Sequence, residues 1–148
     1  GVVYFRLGLL DEAITAWKKG LAYAPADYGL MNNLAIALMR QTRIDEAISY
    51  AEAAARSNEY MAEPMNTLGE LYLKKGDPRK SVQYFKRYLY LRPEDARGYW
   101  NTALALKDAG DFRSSLEYAT QFLSREQDPN FRQAALQLVE FLKSRLKP

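Results

Sequence analysis

Residues 62–95 read AEPMNTLGELYLKKGDPRKSVQYFKRYLYLRPED, and the pattern of this stretch recurs every 34 residues along the chain. One series of small residues with this spacing consists of Gly1, Ala35, Gly69 and Ala103. The string Asp-Glu-Ala-Ile likewise occurs at 11–14 and again at 45–48. A fixed period of this length indicates an array of stacked repeats, and such arrays bind other molecules far more often than they catalyse reactions.

The quoted stretch predicts two amphipathic helices joined by a tight turn, because its apolar residues recur at three- and four-residue spacings. The buried face of the first helix is predicted to consist of Met65, Leu68, Gly69 and Tyr72. Gly76 suits a left-handed helix end, Asp77 can cap the next helix, and Pro78 suits its first position. The second helix is expected to run to about Leu91. Its inward face is predicted to consist of Ser81, Val82, Phe85, Tyr88 and Leu89.

The order of these residues resembles the tetratricopeptide repeat (TPR) family. In that family the first helix carries a large residue, a Leu, a small residue and then an aromatic or Leu. The second helix carries a small residue, an aromatic, another small residue and then Pro. The third repeat follows this order with Met65, Leu68, Gly69, Tyr72, Ser81, Phe85, Tyr88 and Pro93. The resemblance implies an all-α fold: a right-handed superhelical array of antiparallel helix pairs, or α-solenoid, with a C-terminal capping helix.

The same register divides the chain into five segments. These are a partial first repeat at 1–27, a second repeat at 28–61, a third at 62–95, a fourth at 96–129 and a capping helix at 130–148. The apolar side of the capping helix is predicted to consist of Phe131, Ala134, Ala135, Leu138, Phe141 and Leu142. Tyr88 and Phe122 occupy a position that is usually small in the family, so the helix packing is expected to widen there.

The first repeat is expected to lack most of its first helix, which favours either a fragment of a longer array or an atypical N-terminus. The apolar face formed by Ile14, Trp17 and Leu21 would then be only partly covered. An apolar face of this kind tends to find another chain, so we expect self-association through the N-terminal end.

Composition narrows the possible chemistry. The chain has no cysteine and no histidine, which excludes disulfides and thiol nucleophiles and removes the commonest general base and metal ligand. The net charge of +3 is mild, and the charges are interspersed, so we expect no nucleic-acid partner. No apolar run approaches the roughly 20 residues that cross a bilayer. We expect no cofactor, no metal and no membrane span. The sequence does not name the compartment, although a soluble, cytoplasmic chain is slightly favoured.

In TPR arrays the first helices line a concave groove, and the resemblance implies that this groove binds a partner. The corresponding positions here are Val2, Phe5, Arg6, Asn32, Asn33, Ile36, Met39, Arg40, Glu63, Asn66, Thr67, Glu70, Leu73, Lys74, Arg97, Trp100, Asn101, Leu104, Lys107 and Asp108. Some of them are apolar where a solvated helix face should be polar, and these are Phe5, Ile36, Met39, Leu73, Trp100 and Leu104. An apolar track rimmed by charge indicates an interaction surface. The alternative is that Leu73 and Leu104 are covered by neighbouring repeats.

Polar groove positions also leave alternatives open. Asn33 and Asn101 share one repeat position, where family members often use asparagine to bind the backbone of an extended peptide; a solvent-facing amide is the other interpretation. Arg6, Arg40 and Lys74 share another position, and could either receive carboxylates of a partner or favour the helix C-terminal dipole. One TPR subfamily clamps an acidic chaperone tail with lysines and an arginine at set groove positions. Residues such as Glu63 and Ile36 occupy those positions here, which argues against that clamp.

Two further patterns are interpreted as structural. Tyrosine recurs on the second helices at Tyr50, Tyr84 and Tyr118, where the family commonly has it for packing rather than for an aromatic binding ladder. Acidic pairs stand at helix starts, where they compensate the helix dipole; these are Asp11/Glu12, Asp45/Glu46 and Glu94/Asp95.

The sequence therefore predicts a non-enzymatic protein-binding module, an adaptor or assembly scaffold that holds an extended segment or a helix of another protein. The alternative is a recognition segment of a larger enzyme such as a glycosyltransferase. The partner and the pathway cannot be named from the residues.

Overall fold

The computed structural model describes residues 1–6 and 8–148 and contains, within them, nine α-helices and no strand. The helices are α1 (Val2–Arg6), α2 (Leu10–Tyr23), α3 (Tyr28–Arg40), α4 (Ile44–Ser57), α5 (Ala62–Lys75), α6 (Pro78–Leu91), α7 (Ala96–Asp108), α8 (Phe112–Leu123) and α9 (Pro129–Leu146). The predicted all-α class is confirmed. None of these helices is both long enough and apolar enough to cross a membrane.

The chain divides into two compact units, Gly1–Lys75 and Gly76–Pro148. In the first unit each helix from α1 to α5 packs against the next, and α3 also contacts α5. In the second unit α6 packs on α7, α7 on α8, and α8 on α9. This nearest-neighbour packing is typical of repeat proteins, in which one element covers the apolar face of the element before it.

The turns within helix pairs use one left-handed backbone position, repeated every 34 residues. Three of the four are glycines with positive φ: Gly8 at 77°, Gly76 at 87° and Gly110 at 81°. The fourth is Thr42, whose φ of 60° is unusual for a β-branched residue. After Gly76, the side chain of Asp77 accepts a 3.0 Å hydrogen bond from the Lys80 N–H, and α6 begins at Pro78. All three predicted roles at this turn are confirmed.

The predicted buried faces of the third repeat are confirmed. In α5 the four predicted residues are buried, from Met65 to Tyr72. In α6 the buried residues are the five that were predicted, from Ser81 to Leu89. The core of the second unit continues in a cluster of Ala103, Ala119, Leu138, Val139 and Leu142.

Tyr88, the large residue at a usually small repeat position, packs against a glycine of the next helix. Its ring lies against Gly98, where a Cβ atom would come within 2.9 Å of Tyr88 Cδ1 and 2.6 Å of Leu89 Cδ2. The large residue on α6 is therefore accommodated by the smallest residue on α7. The first unit shows the reverse arrangement, because a Cβ on Gly20 would lie 3.0 Å from a methyl carbon of Leu30. Gly20 and Tyr88 share one repeat position, and Leu30 and Gly98 share another.

The capping helix α9 differs from the prediction in its rotation. It buries Ala135, Leu138, Val139 and Leu142. Phe131 and Phe141, predicted on the apolar side, are 61% and 39% exposed, and Ala134 is exposed as well. The sequence placed three of these contacts wrongly because α9 carries apolar residues around more than half of its circumference, and α8 covers only part of them.

The N-terminal repeat also covers more of its own core than expected. Ile14 and Trp17 are only 5% and 4% exposed, and Leu21 is half-buried. The short helix α1 supplies the cover: the Phe5 and Trp17 ring centroids lie 5.6 Å apart, and the indole closely approaches Gly1. The expectation of a partly covered Trp17 is therefore wrong. Among the described residues, the exposed large apolar side chains at this end are instead Val2, Val3, Tyr4 and Leu9.

Candidate partner-binding face

The first helices of the first unit present a mixed polar and apolar surface. On α1, Phe5 is half-buried, and the guanidinium carbon of Arg40 lies 4.2 Å from its ring centroid. This cation–π contact links α1 to the end of α3. Arg6 and Lys74, the other cations at that repeat position, are exposed.

The middle of this surface is formed by half-buried side chains of α3 and α5. The apolar ones are Ile36, Met39 and Leu73, and the polar ones are Asn33, Asn66 and Glu70. The Asn66 amide donates a 2.7 Å hydrogen bond to the Glu70 carboxylate one helical turn later. Half-burial leaves part of each side chain for a partner to contact.

Two predicted groove residues lie inside the first unit instead. Thr67 is 3% exposed, and its hydroxyl donates a 3.1 Å hydrogen bond to the Glu63 carbonyl. Asn32 is 7% exposed, and its Oδ1 atom has no hydrogen-bond partner among the described residues. A buried Thr that bonds its own helix offers a partner no surface, so Thr67 is corrected from a contact residue to a packing residue. Asn32 is corrected in the same way.

In the second unit a shallow, open pocket of about 560 Å³ lies between α7 and α9. It is lined by Trp100, Leu104, Lys107, Phe112, Ala134, Gln137, Leu138 and Phe141. We call it the α7–α9 pocket. Its walls are mostly apolar, with one cation and one amide, which is the composition that binding pockets share.

The walls of the α7–α9 pocket are set by contacts with the core. Trp100 is half-buried, with its ring centroid 5.2 Å from that of Phe122. Phe112 and Phe141 meet edge to face at 6.2 Å. Aromatic pairs of this kind hold their rings in defined orientations. The pocket is therefore built from side chains that are anchored on one side and open on the other.

Cations stand at the rim of the same pocket. Lys107 lies in its wall, with its Nζ atom 3.2 Å from the Asp108 carboxylate. The Arg145 guanidinium carbon lies 5.2 Å from the Phe141 ring centroid. The charged groups at this edge of the pocket are therefore two cations and the carboxylate that pairs with Lys107.

Arg97, another predicted groove residue, is part of a hydrogen-bonded network at the start of α7. One of its terminal nitrogens donates 3.0 Å hydrogen bonds to the Tyr88 hydroxyl and to Asp95 Oδ2. The Tyr88 hydroxyl also donates to Asp95, and the Arg97 backbone N–H donates to Asp95 Oδ1 at 3.0 Å. Arg97 therefore holds the N-cap of α7 in place, although its side chain stays exposed.

Within this network two opposing influences act on the pKa of the Asp95 carboxyl group. Partial burial is the largest single influence and acts to raise the pKa of its carboxyl group. The hydrogen bonds from Tyr88 and Arg97 together outweigh that effect, so the pKa of Asp95 lies below its ordinary value of 3.8. Burial, followed by the hydrogen bond to Asp95, raises the pKa of Tyr88. Asp95 is therefore held as a carboxylate.

Sequence reasoning missed the residues that α8 and α9 contribute to the pocket. Phe112 and Gln137 were not assigned to a binding surface, and Ala134, Leu138 and Phe141 were predicted only as the apolar side of the capping helix. The available signal was the surplus of apolar side chains on α9 beyond one helical face.

Two further predicted groove residues, Asn101 and Leu104, lie on α7 and are half-buried.

The tyrosine series spans both units, with Tyr50 in the first and Tyr84 and Tyr118 in the second. Tyr50, Tyr84 and Tyr118 are each half-buried. The Tyr118 ring centroid lies 6.2 Å from that of Tyr99, a packing distance between aromatic side chains.

Comparison with known proteins agrees with this architecture. Models described as tetratricopeptide repeat match residues 1–62 and 62–95. The chain belongs to the tetratricopeptide repeat family. Crystal structures of MamA show the same fold: one has a TM-score of 0.87 at 20% identity, covering 95% of this chain and 81% of that one. MamA 41-end from Desulfovibrio magneticus RS-1 also has a TM-score of 0.87, at 17% identity, covering 96% of this chain and 78% of the other.

Two longer proteins are similar in sequence to this TPR chain. Protein FlbA of Caulobacter vibrioides is 33% identical over 116 residues, which are 78% of this chain and 20% of FlbA. Heat shock protein STI1 of Saccharomyces cerevisiae is 32% identical over 107 residues, which are 72% of this chain and 17% of STI1. The chain thus spans a fifth or less of the length of these relatives. As a TPR protein it is a protein-interaction module of the scaffold type.

Proposed function

We propose that this TPR chain binds partner proteins through its first helices: those of the first unit hold a partner segment, and in the second unit the α7–α9 pocket takes a large apolar side chain of a partner. The observation that carries the proposal is the pocket itself, a space of about 560 Å³ with Trp100, Leu104, Phe112 and Phe141 in its walls. Aromatic residues in a partly open pocket are typical anchors of protein–protein binding.

In the first unit, the proposed contacts are the half-buried and exposed side chains of α1, α3 and α5. They are Phe5, Arg6, Asn33, Ile36, Met39, Arg40, Asn66, Glu70, Leu73 and Lys74. The mixture of apolar, amide and charged groups suits a peptide segment, which has both side chains to bury and backbone groups to hydrogen-bond. In this proposal the chain acts as a non-enzymatic adaptor.

The test compares two phenylalanines of α9. Phe141 lines the pocket and is 39% exposed, whereas Phe131 lies outside the pocket and is 61% exposed. A partner captured by the intact chain is identified, purified and titrated against each variant by calorimetry. Phe141→Ala should weaken binding by about 1.4 kcal/mol or more, which is about tenfold, and Phe131→Ala should leave it unchanged. Equal affinities for both variants and the wild type would contradict the pocket assignment.

The alternative, a recognition segment of a larger enzyme such as a glycosyltransferase, uses the same face. It differs in where catalysis resides, because the chemistry would belong to another part of that enzyme. An activity assay on the full-length gene product with and without Phe141→Ala separates the two. A change in turnover of a bound substrate would favour the enzyme, and loss of protein binding alone favours the adaptor.

A further inference from the structure

Helix α6 carries a concentration of positive charge that the rest of the fold does not share. Its sequence, PRKSVQYFKRYLYL, contains four cationic side chains and no acidic one. One exposed row of this helix consists of Arg79, Gln83, Lys86, Arg87 and Tyr90, which we call the α6 stripe. These residues follow one another at spacings of four, three, one and three, so they share one side of the helix. The stripe has no residue in common with the α7–α9 pocket.

Helix stability does not explain this pattern. Cations stabilise a helix near its C-terminus and oppose the dipole near its N-terminus. Arg79 lies in the first turn of α6, and the last turn contains no basic residue. The charges therefore stand where the dipole disfavours them or gains little from them. Since these exposed charges do not serve to stabilise the helix, this face of α6 is a candidate surface for binding another molecule.

The cations of the stripe are also not held in ion pairs by the described residues. In the part of the chain that the structure describes, Arg79, Lys86 and Arg87 take part in no salt bridge. Lys86 and Arg87 rest on aromatic rings instead, at 5.9 Å from the Tyr118 centroid and 5.0 Å from the Tyr90 centroid.

One acid of the same unit that interacts with Lys86, Asp111, is already hydrogen-bonded at the start of α8. The carboxylate of Asp111, on which Lys86 acts electrostatically, accepts hydrogen bonds from the Ser114 N–H at 3.1 Å and from its hydroxyl at 2.7 Å. The stripe thus keeps most of its capacity to bind anions.

We propose that the α6 stripe binds an acidic segment of a partner protein, as a second interaction surface separate from the pocket. The stripe is a line about 16 Å long, which is the scale of three turns of helix. The guanidinium groups of the stripe can form two parallel hydrogen bonds with a carboxylate. The Gln83 amide can hydrogen-bond the backbone of a peptide, and Tyr90, which is 75% exposed, supplies an aromatic contact at one end. A membrane is a poor match, because the stripe has three cations but no aliphatic side chain that could insert into the lipid. They are also few for a phosphate backbone, whose binding depends on many contacts.

The experiment measures fluorescence anisotropy with the full chain and a labelled peptide of Glu-Ala-Ala-Glu repeats, beside its Gln-Ala-Ala-Gln counterpart. The test variant combines Arg79→Gln, Lys86→Gln and Arg87→Gln. The matched control combines Lys19→Gln, Lys143→Gln and Lys147→Gln, which are exposed and change the net charge equally. Circular dichroism verifies that both variants unfold at the wild-type midpoint. Vesicles containing phosphatidylserine and single-stranded polyuridylate serve as competing probes.

We expect the acidic peptide to bind the wild type, the test variant to bind at least about tenfold more weakly, and the control to stay within about threefold of wild type. The neutral peptide should not bind. An equal loss in both variants would show only a net-charge effect and would overturn the proposal, as would the absence of wild-type binding. Stronger stripe-dependent binding to the vesicles or to the RNA would overturn the choice of an acidic protein as the occupant. Because Phe141→Ala leaves the stripe intact, failure of this proposal is distinguishable from failure of the pocket.

Discussion

Tyr88 and Gly98 fit together as a large and a small residue across the α6–α7 contact. A Cβ atom on Gly98 would lie 2.9 Å from the Tyr88 ring, closer than such atoms approach in folded proteins. The ring cannot easily move away, because its hydroxyl is held by Asp95 and by Arg97 at 3.0 Å. Since Gly20 and Leu30 show the reverse arrangement at the same repeat positions, the array conserves volume at this contact rather than residue type.

This relationship predicts strong coupling between the two positions. Gly98→Leu alone should overpack the α6–α7 contact and lower the free energy of unfolding by about 1–3 kcal/mol. In a Tyr88→Ala background the same change should cost less, since alanine leaves room for the new side chain. Chemical denaturation of the four proteins of this double-mutant cycle measures the coupling. Additive effects would show that the two residues do not share the same space.

The left-handed turn position predicts a stabilising change at Thr42. A non-glycine residue in this conformation costs roughly 1–2 kcal/mol, partly offset by the flexibility of glycine in the unfolded chain. Thr42→Gly should therefore raise the free energy of unfolding by about 1 kcal/mol. Gly110→Thr is the matched reverse change, expected to lower it by about 1–2 kcal/mol. A Cβ on Gly110 would meet no atom within 4 Å, so the reverse change tests mainly the backbone conformation. A drop in the unfolding midpoint for Thr42→Gly would contradict this account.

The sequence predicted the parts of the structure that depend on local pattern. Ser81, Phe85 and Leu89 were placed in the core by their spacing alone, and Gly76 was placed at a left-handed turn, since these features follow from the backbone geometry of a helix and its end. The sequence failed where a choice depended on which neighbour covers a surface. Whether Phe141 faces the core or the pocket is decided by how α8 rests on α9, and Trp17 is buried because α1, short as it is, lies on it.

Trp100 is predicted to affect stability as well as binding. Sequence analysis placed Trp100 in the apolar track of the groove, and as a binding anchor its loss should weaken partner binding by roughly 2 kcal/mol. The structure packs its ring against Phe122 at 5.2 Å. Trp100→Ala should therefore lower the free energy of unfolding by about 2 kcal/mol, less than the 3–5 kcal/mol of a fully buried aromatic. Trp100→Phe retains an aromatic pair and separates the two effects. Full stability of Trp100→Ala would show that the Phe122 contact contributes nothing.

The Asp95 network predicts a dependence of stability on acid. The pKa of Asp95 is depressed in the folded chain, so its contribution to stability is present above the unfolded value of about 3.8 and is lost as the pH falls through the lower folded value. Asp95→Asn should be less stable than wild type at neutral pH, and the difference should shrink as the pH falls below about 4. Urea denaturation between neutral and acidic pH measures both proteins. A difference that is constant with pH would show that the Asp95 charge does not stabilise the fold.

The N-terminal end is expected to self-associate through exposed residues rather than through Trp17. Val3 is 68% exposed and lies beside Val2 and Tyr4, which are 48% and 42% exposed, so α1 presents an apolar surface. Apolar surfaces of this kind favour contact with another chain. Sedimentation velocity over a wide concentration range should show self-association of the wild type, and Val3→Lys should abolish it. Throughout that range, acrylamide quenching of the Trp100→Phe variant, in which Trp17 is the remaining indole, should stay low because that side chain is 4% exposed. A strictly monomeric wild type would remove the prediction of self-association, and strong quenching of Trp17 would show that α1 leaves its core open in solution.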